Sequence, residues 1–185
     1  MRDAPASAQL IQAFANTVDV ETGTDEIDTV RKFDTWLRGQ KLLSGPRLDS
    51  RGHALGLRLR AGIREALGVH VGDDPDLAVQ RAADEALREL PVVVTADGAA
   101  PGTLIADPRL PASRAALAAL AVAWSELTVT GESVRLKRCA EHACAWVFWD
   151  ASKNRSGRWC SMRVCGNRAK ARRYAARQAT APGVS

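Results

Sequence analysis

Apolar residues recur every three or four positions along most of the first 130 residues, a spacing typical of helices that bury one face. The clearest stripe consists of Leu55, Leu59, Ile63 and Leu67. In the first segment, Leu10, Phe14 and Val18 are four apart. The pattern predicts five helices, at residues 7–20, 29–40, 49–67, 74–90 and 111–127. This part of the chain is therefore expected to be mainly helical.

Capping and breaking residues indicate where several of these helices begin and end. Thr29 can cap the second helix, and Asp74 followed by Pro75 suits the start of the fourth. The pair Gly45-Pro46 interrupts the helical pattern after the second helix, and Gly68 is placed to terminate the third.

Short β-favouring runs add small strands to this helical plan. Residues 92–94 and 104–105 predict one hairpin, and residues 134–137 predict a further strand. Farther on, residues 146–149 and 158–160 predict the two strands of a second hairpin, and a last helix follows from Cys165 to about Arg177. The expected fold class is mainly α with small β elements.

The composition indicates a hydrophobic core of ordinary size and a strongly basic segment. The chain has 185 residues, of which 46% are hydrophobic, and its formal net charge is +5. Residues 135–178 hold twelve Lys and Arg against two acidic residues, while the rest holds 14 basic and 19 acidic residues. Blocks of opposite sign suggest two tasks, and a dense basic block commonly meets phosphates. No apolar run approaches the roughly 20 residues needed to span a bilayer, and no secretory signal is seen, so we expect a cytoplasmic protein.

All four cysteines lie in this basic segment, spaced C-x4-C, fifteen residues, then C-x4-C. Two close pairs separated by a hairpin-sized gap are typical of a structural four-cysteine zinc site. We therefore predict one structural zinc ion per chain, bound by Cys139, Cys144, Cys160 and Cys165. Two disulfides are the alternative, which a reducing compartment disfavours. His142 lies inside the first pair and is either a replacement ligand or an exposed loop residue.

Positive side chains surround the cysteines and make nucleic acid the expected partner. The candidate contacts are Lys153, Arg155, Arg158, Asn167, Arg168, Lys170, Arg172, Arg173 and Arg177. Lysine and arginine can contact phosphates without reading sequence, and Asn167 and Arg168 are candidates for reading bases. The alternative is a solvated basic helix that only keeps the protein soluble. Trp146, Trp149 and Trp159 can stack on bases, although in so small a module they more often form the core.

The segment Cys165-Gly166-Asn167-Arg168, preceded by Trp146–Asp150 and by Arg158-Trp159, resembles the CGNR zinc finger. The upstream region resembles the ABATE domain that accompanies this finger, through residues 14–17, residues 34–37 and the third helix with Arg64. The order of a turn with two ligands, a hairpin, and a helix whose first turn holds the last ligand predicts a treble-clef-like finger. The resemblance implies a stress-induced bacterial transcription regulator that binds DNA through this finger. It maps the family's zinc ligands onto the four cysteines. The chain departs from the family at Gly157, where an arginine usually precedes Arg158, so one phosphate contact is in doubt.

These observations divide the chain into three predicted parts. Residues 1–133 form an ABATE-like helical domain for sensing or dimerisation, residues 134–178 form the basic finger, and residues 179–185 form a flexible tail. A small-molecule effector is one expectation for the first part, in a pocket lined by Asn16, Thr17, Trp36 and Arg64. The alternative gives these residues structural roles in helix termination, core packing and the surface.

Four function classes remain to be weighed. A DNA-binding transcription regulator, associated with the nucleoid and either monomeric or a homodimer, fits best. An RNA- or ribosome-associated protein and a protein-interaction adaptor are the alternatives. We do not expect an enzyme, because His53, His70 and His142 are scattered and no nucleophile or phosphate-loop motif occurs.

Overall fold

Helices dominate the computed structural model, which describes residues 3–96 and 102–180. Within these ranges the helices are α1 (Ala6–Ala15), α2 (Val30–Gly39), α3 (Ser50–Val69), α4 (Leu77–Arg88), α5 (Ala112–Val129) and α6 (Asn167–Thr180). The strands are β1 (Val18–Asp19), β2 (Thr24–Asp25), β3 (Val92–Val94), β4 (Leu104–Ala106), β5 (Leu136–Arg138) and β6 (Val147–Trp149). The mainly helical fold class with small β elements is confirmed. The predicted flexible tail falls largely on residues 181–185, which lie outside the described ranges.

The strands form three antiparallel two-stranded ribbons, β1–β2, β3–β4 and β5–β6. In the β3–β4 ribbon, Val93 lies opposite Ile105, so the predicted hairpin is confirmed. In the β5–β6 ribbon, Lys137 lies opposite Phe148. These ribbons are too short to stand alone and depend on packing against helices.

The main hydrophobic core lies between α1, α3 and α5, where Phe14, Leu59 and Leu117 are buried. The β5–β6 ribbon contributes to this same core, since Leu136 and Val147 are both 0% exposed within it. The cysteine-bearing segment is therefore attached through its first two strands to the core of the helical domain.

Two of the helix boundaries that differ from the sequence-based expectation have a cause in the structure. Helix α1 ends at Ala15 instead of continuing to residue 20, because the side chain of Asn16 is bound to the backbone of Val147 in β6. Helix α4 begins after Asp76, whose carboxylate accepts hydrogen bonds from the backbone of Ala78 and Val79. Asp76 therefore acts as the cap that we assigned to Asp74.

Two predicted strands were also misplaced. Residues 133–135 form a 3₁₀ turn, and the strand at 134–137 is shifted to Leu136–Arg138. This strand is the partner of β6, and residues 158–160 form no strand. The chain instead crosses the β5–β6 turn, where Arg158 accepts one backbone hydrogen bond from Ala140 at 2.9 Å. Among the described residues, no helix is both long and apolar enough to cross a bilayer.

Candidate metal centre and basic surface

Four cysteine sulfurs converge beside the β5–β6 ribbon. Cys139 follows β5 and Cys144 lies in the turn before β6, so a single hairpin supplies both. Cys160 follows the loop after β6, and Cys165 lies in a wide helical turn, residues 162–166, that leads into α6. The four Sγ atoms all lie within 4.8 Å of one another, and all four thiols are free. The four sulfurs therefore come from the β5–β6 hairpin, the segment after the loop and the turn before α6.

The spacing of these sulfurs fits a tetrahedral metal ion. The Sγ atoms of Cys144 and Cys160 are 3.6 Å apart, and those of Cys160 and Cys165 are 3.7 Å apart. A tetrahedron with metal–sulfur bonds of about 2.3 Å has edges of about 3.8 Å. A disulfide would require a sulfur–sulfur distance of about 2 Å. The side chain of His142 is 78% exposed and its Nε2 lies 3.7 Å from Asp73, so the cluster consists of cysteines alone.

The close approach of the four sulfurs also affects their ionisation. Burial raises the pKa of Cys165 to about 12, and burial together with the neighbouring sulfurs raises the pKa of Cys160. Four thiolates cannot coexist in this space without a positive charge between them. A divalent ion would supply that charge and displace the thiol protons.

Two side chains of the helical domain hold the turn that carries Cys139 and Cys144. Asn16 donates to the carbonyl of Val147 and accepts from its N–H, both at 2.8 Å. Arg64 donates to the carbonyl of Ala15 at 2.7 Å and to that of Ala145 at 3.0 Å. Burial lowers the pKa of Arg64 to about 10, with a contribution from nearby Arg138.

The four residues of the predicted effector pocket thus occupy specific positions. Asn16 and Arg64 bind the metal-site turn, and Thr17 donates to the carbonyl of Phe14 while accepting from Arg60. Trp36 packs on Phe14, with ring centroids 5.6 Å apart. The effector pocket at these residues stays a prediction.

A second contact joins α3 to β5 through Arg138. Its guanidinium donates to Glu65 at 2.6 Å and to Asp73 at 3.1 Å. The guanidinium lies against Gly68, where an added Cβ would overlap with it. A larger residue at this position would therefore displace the guanidinium from its present place. Sequence reasoning missed the pairing because nothing local links β5 to α3.

A buried ion pair holds the loop that follows β6. Lys137 is 3% exposed and donates to Asp150 at 2.8 Å, and to the carbonyls of Arg155 and Gly157. Asp150 also accepts from the N–H groups of Ser152 and Gly157. Burial alone would raise the pKa of Asp150, but the bond from Lys137 and those from Ser152 and Gly157 hold that pKa well below its usual range. The loop at residues 150–157 is therefore anchored from within.

Helix α6 separates its positive residues onto two faces. Arg168 pairs with Glu21 of the β1–β2 turn at 2.9 Å, and Arg172 donates to the buried carboxylate of Glu141. Lys170 and Arg173 lie on the opposite side of the helix. Neither has an ion pair within 4 Å among residues 3–96 and 102–180. Arg177 continues this stripe at helical spacing, four residues beyond Arg173.

The remaining predicted contacts are also exposed. Lys153 and Arg155 lie on the exposed side of the anchored loop, and Arg158 lies two residues before Cys160. Asn167 donates to the backbone carbonyl of Arg163 at 2.8 Å, so its amide is partly used within the chain. Sequence reasoning overlooked Arg163, which is exposed in the turn before Cys165.

Comparison with known proteins agrees with these features. The family model for ABATE, described as "Putative stress-induced transcription regulator", matches residues 8–131. The family model for the CGNR zinc finger matches residues 135–178. No curated protein matches the chain.

Proposed function

The chain belongs to the ABATE family and carries a CGNR zinc finger, and from this premise we propose that it is a zinc-dependent, DNA-binding transcription regulator. Its four cysteines would hold one structural zinc ion. Four sulfur ligands complete a tetrahedral shell and leave no position for a reacting water. The ion would fix the turn from which α6 begins.

The exposed stripe on α6 carries this proposal. Two of the helix arginines are neutralised by Glu21 and Glu141, while Lys170 and Arg173 face away from these carboxylates. Lys153 and Arg155 extend the positive surface onto the anchored loop. Among the described residues, Lys170, Arg173, Lys153 and Arg155 have no ion pair within 4 Å, and such cations suit contact with a phosphate backbone.

The proposal also covers the location, the physiological role and the assembly of the protein. We place the protein in the cytoplasm, with the nucleoid. Stress response follows the family description, which names no enzyme. A bacterial origin is carried over only from the resemblance of the sequence. A homodimer and a small-molecule effector are open hypotheses. A cavity of about 280 Å³ between α3, α4 and α5, lined by Gly62, Ala83 and Trp124, is a further place for an effector.

Binding of the full chain to a 20-base-pair duplex at several salt concentrations tests the proposal. We expect affinity to fall steeply with salt, because each neutralised phosphate contributes about 0.9 to the logarithmic slope. The double variant Lys170→Gln with Arg173→Gln should lower that slope by about 2. Arg88→Gln, at an exposed position of α4, is the matched control and should leave the slope unchanged.

The same measurement separates the alternatives. A preference for RNA of the same sequence would favour the RNA-associated class. A flat salt dependence with both nucleic acids would favour the protein-interaction adaptor and would contradict the regulator. Removal of the metal by a chelator should abolish duplex binding.

A further inference from the structure

A cavity of about 390 Å³ lies between α6 and the chain segment that leads to Cys160. It is lined by Ala140, Arg158, Trp159, Ala169, Arg172 and Arg173. Its volume lies in the range of about 300–1,000 Å³ that is typical of small-molecule sites. A single indole and three guanidiniums therefore share a concave site on the positive surface.

Trp159 is held firmly in this cavity. The indole packs against the cysteine cluster, and its chain neighbour Cys160 belongs to that cluster. The hydrogen bond from the N–H of Ala140 to the carbonyl of Arg158 holds the backbone immediately before Trp159. The ring is thus partly buried by the metal site while it also lines the cavity. A fixed aromatic face costs little entropy when a second ring stacks on it.

The positive charges that line the cavity favour an anion beside that ring. The bond from Arg172 to Glu141 satisfies one guanidinium, whereas Arg158 and Arg173 have no ion pair within 4 Å among the described residues. Two unneutralised guanidiniums are suited to phosphate oxygens. An aromatic face beside a phosphate site is the arrangement that binds single-stranded nucleic acid.

We propose that this cavity binds one unpaired DNA nucleotide, with its base stacked on Trp159 and its phosphate between Arg158 and Arg173. This inference rests on the proposed function and refines it. A base inside an intact duplex has no free face for stacking, so the preferred partner contains an unpaired nucleotide beside a duplex. An overhang, a bulge or an opened base pair would supply one.

The test compares binding of the full zinc-loaded chain to a 20-base-pair duplex and to the same duplex with one central unpaired thymidine. We expect about tenfold tighter binding to the bulged duplex, the size typical of one stacked base. Equal affinity for the two would overturn this inference while leaving duplex binding, and hence the proposed regulator, intact. If neither DNA binds, the regulator proposal fails as well.

Variants identify the residue responsible for the preference. Trp159→Leu should bind both DNAs equally, whereas Trp146→Leu, at an exposed tryptophan not among the cavity residues, should keep the tenfold preference. Trp159→Phe retains an aromatic ring, so it should keep most of the preference and lose the quenching of tryptophan fluorescence on bulge binding. A Trp159→Phe variant with unchanged quenching would contradict the stacking. Equal losses in Trp146→Leu and Trp159→Leu would contradict the assignment to this cavity.

An RNA duplex with the same bulge distinguishes the source of the nucleotide. The proposal expects the DNA bulge to bind more tightly than the RNA bulge. The reverse order would overturn the choice of DNA as the partner.

Discussion

Replacing Asp150 by asparagine should destabilise the fold strongly, although the two side chains have nearly the same size and shape. The carboxylate accepts hydrogen bonds from Lys137 at 2.8 Å, from Gly157 at 2.8 Å and from Ser152 at 3.0 Å. The side chains of Lys137 and Asp150 are both 4% exposed. The Asp150→Asn variant would therefore leave a buried ammonium group without a counter-charge.

The size of the effect follows from the surroundings of that ammonium group. Removing one partner of a buried ion pair costs about 3–5 kcal/mol. Lys137 keeps two carbonyl acceptors, from Arg155 and Gly157, so we expect the lower end, about 3 kcal/mol. Because a domain is stabilised by about 5–15 kcal/mol in total, this loss is a large share.

Urea denaturation of the zinc-loaded chain at pH 7, followed by circular dichroism, measures this free energy. Lys153→Gln, which removes a charge from the exposed side of the same loop, is the control and should change stability by less than about 0.5 kcal/mol. Adding Lys137→Met to Asp150→Asn should recover part of the loss, since no buried charge then remains. A loss below 1 kcal/mol for Asp150→Asn would refute the reasoning.

Acid unfolding gives a second measure of the same pair. Burial alone would raise the pKa of Asp150. The hydrogen bonds from Lys137 and the backbone donors outweigh this effect and hold the pKa below its ordinary value of about 3.9. A carboxyl with a depressed pKa contributes stability above its unfolded pKa, and this contribution is lost as the pH falls through the folded pKa. The wild type should therefore lose stability below about pH 4, and the Asp150→Asn variant should lose less over that range.

Three further predictions concern the metal, the shared core and the ion pairs of α6. Cys165→Ser should lose bound zinc and lower the melting temperature of the whole chain, and unchanged zinc content by atomic absorption would argue against the ligand set. Leu136 is fully buried in the shared core, so Leu136→Ala should lower the free energy of unfolding in urea by about 3 kcal/mol, in one transition that includes the helices. A separate, unaffected helical transition would count against a common core. Glu21→Gln should release Arg168 and tighten duplex binding about two- to fivefold at low salt, as fluorescence anisotropy can measure; no change would show that this pair does not compete with DNA.

Local patterns were sufficient to predict that the helices exist and which cysteines come together. Period-three and period-four stripes such as Leu55–Leu67 identify a helix because the buried face repeats with the helical turn. The two C-x4-C pairs indicate a metal site because close pairs lie in tight turns. The sequence therefore predicted the four cysteines that the structure brings together.

Long-range partners could not be obtained in this way. The pairing of β6 with β5, in place of residues 158–160, depends on the fit of Leu136 and Val147 into the helical core. The early end of α1 depends on Asn16, whose partner lies 131 residues away. No nearby residue in the sequence carries information about either contact, because both arise from tertiary packing.

Helix α3 joins the helical domain to the segment that carries the four cysteines. One side of α3 reaches the finger through Arg64, which holds the carbonyl of Ala145 between Cys144 and β6, and through the contact of Gly68 with Arg138. Another side, at Gly62, lines the 280 Å³ cavity against α4. Because a helix moves as a rigid rod, a ligand that separated α3 from α4 would also displace these contacts with the turn that carries Cys139 and Cys144. On the proposal that the helical domain binds an effector, occupancy of that cavity would shift the finger through these contacts.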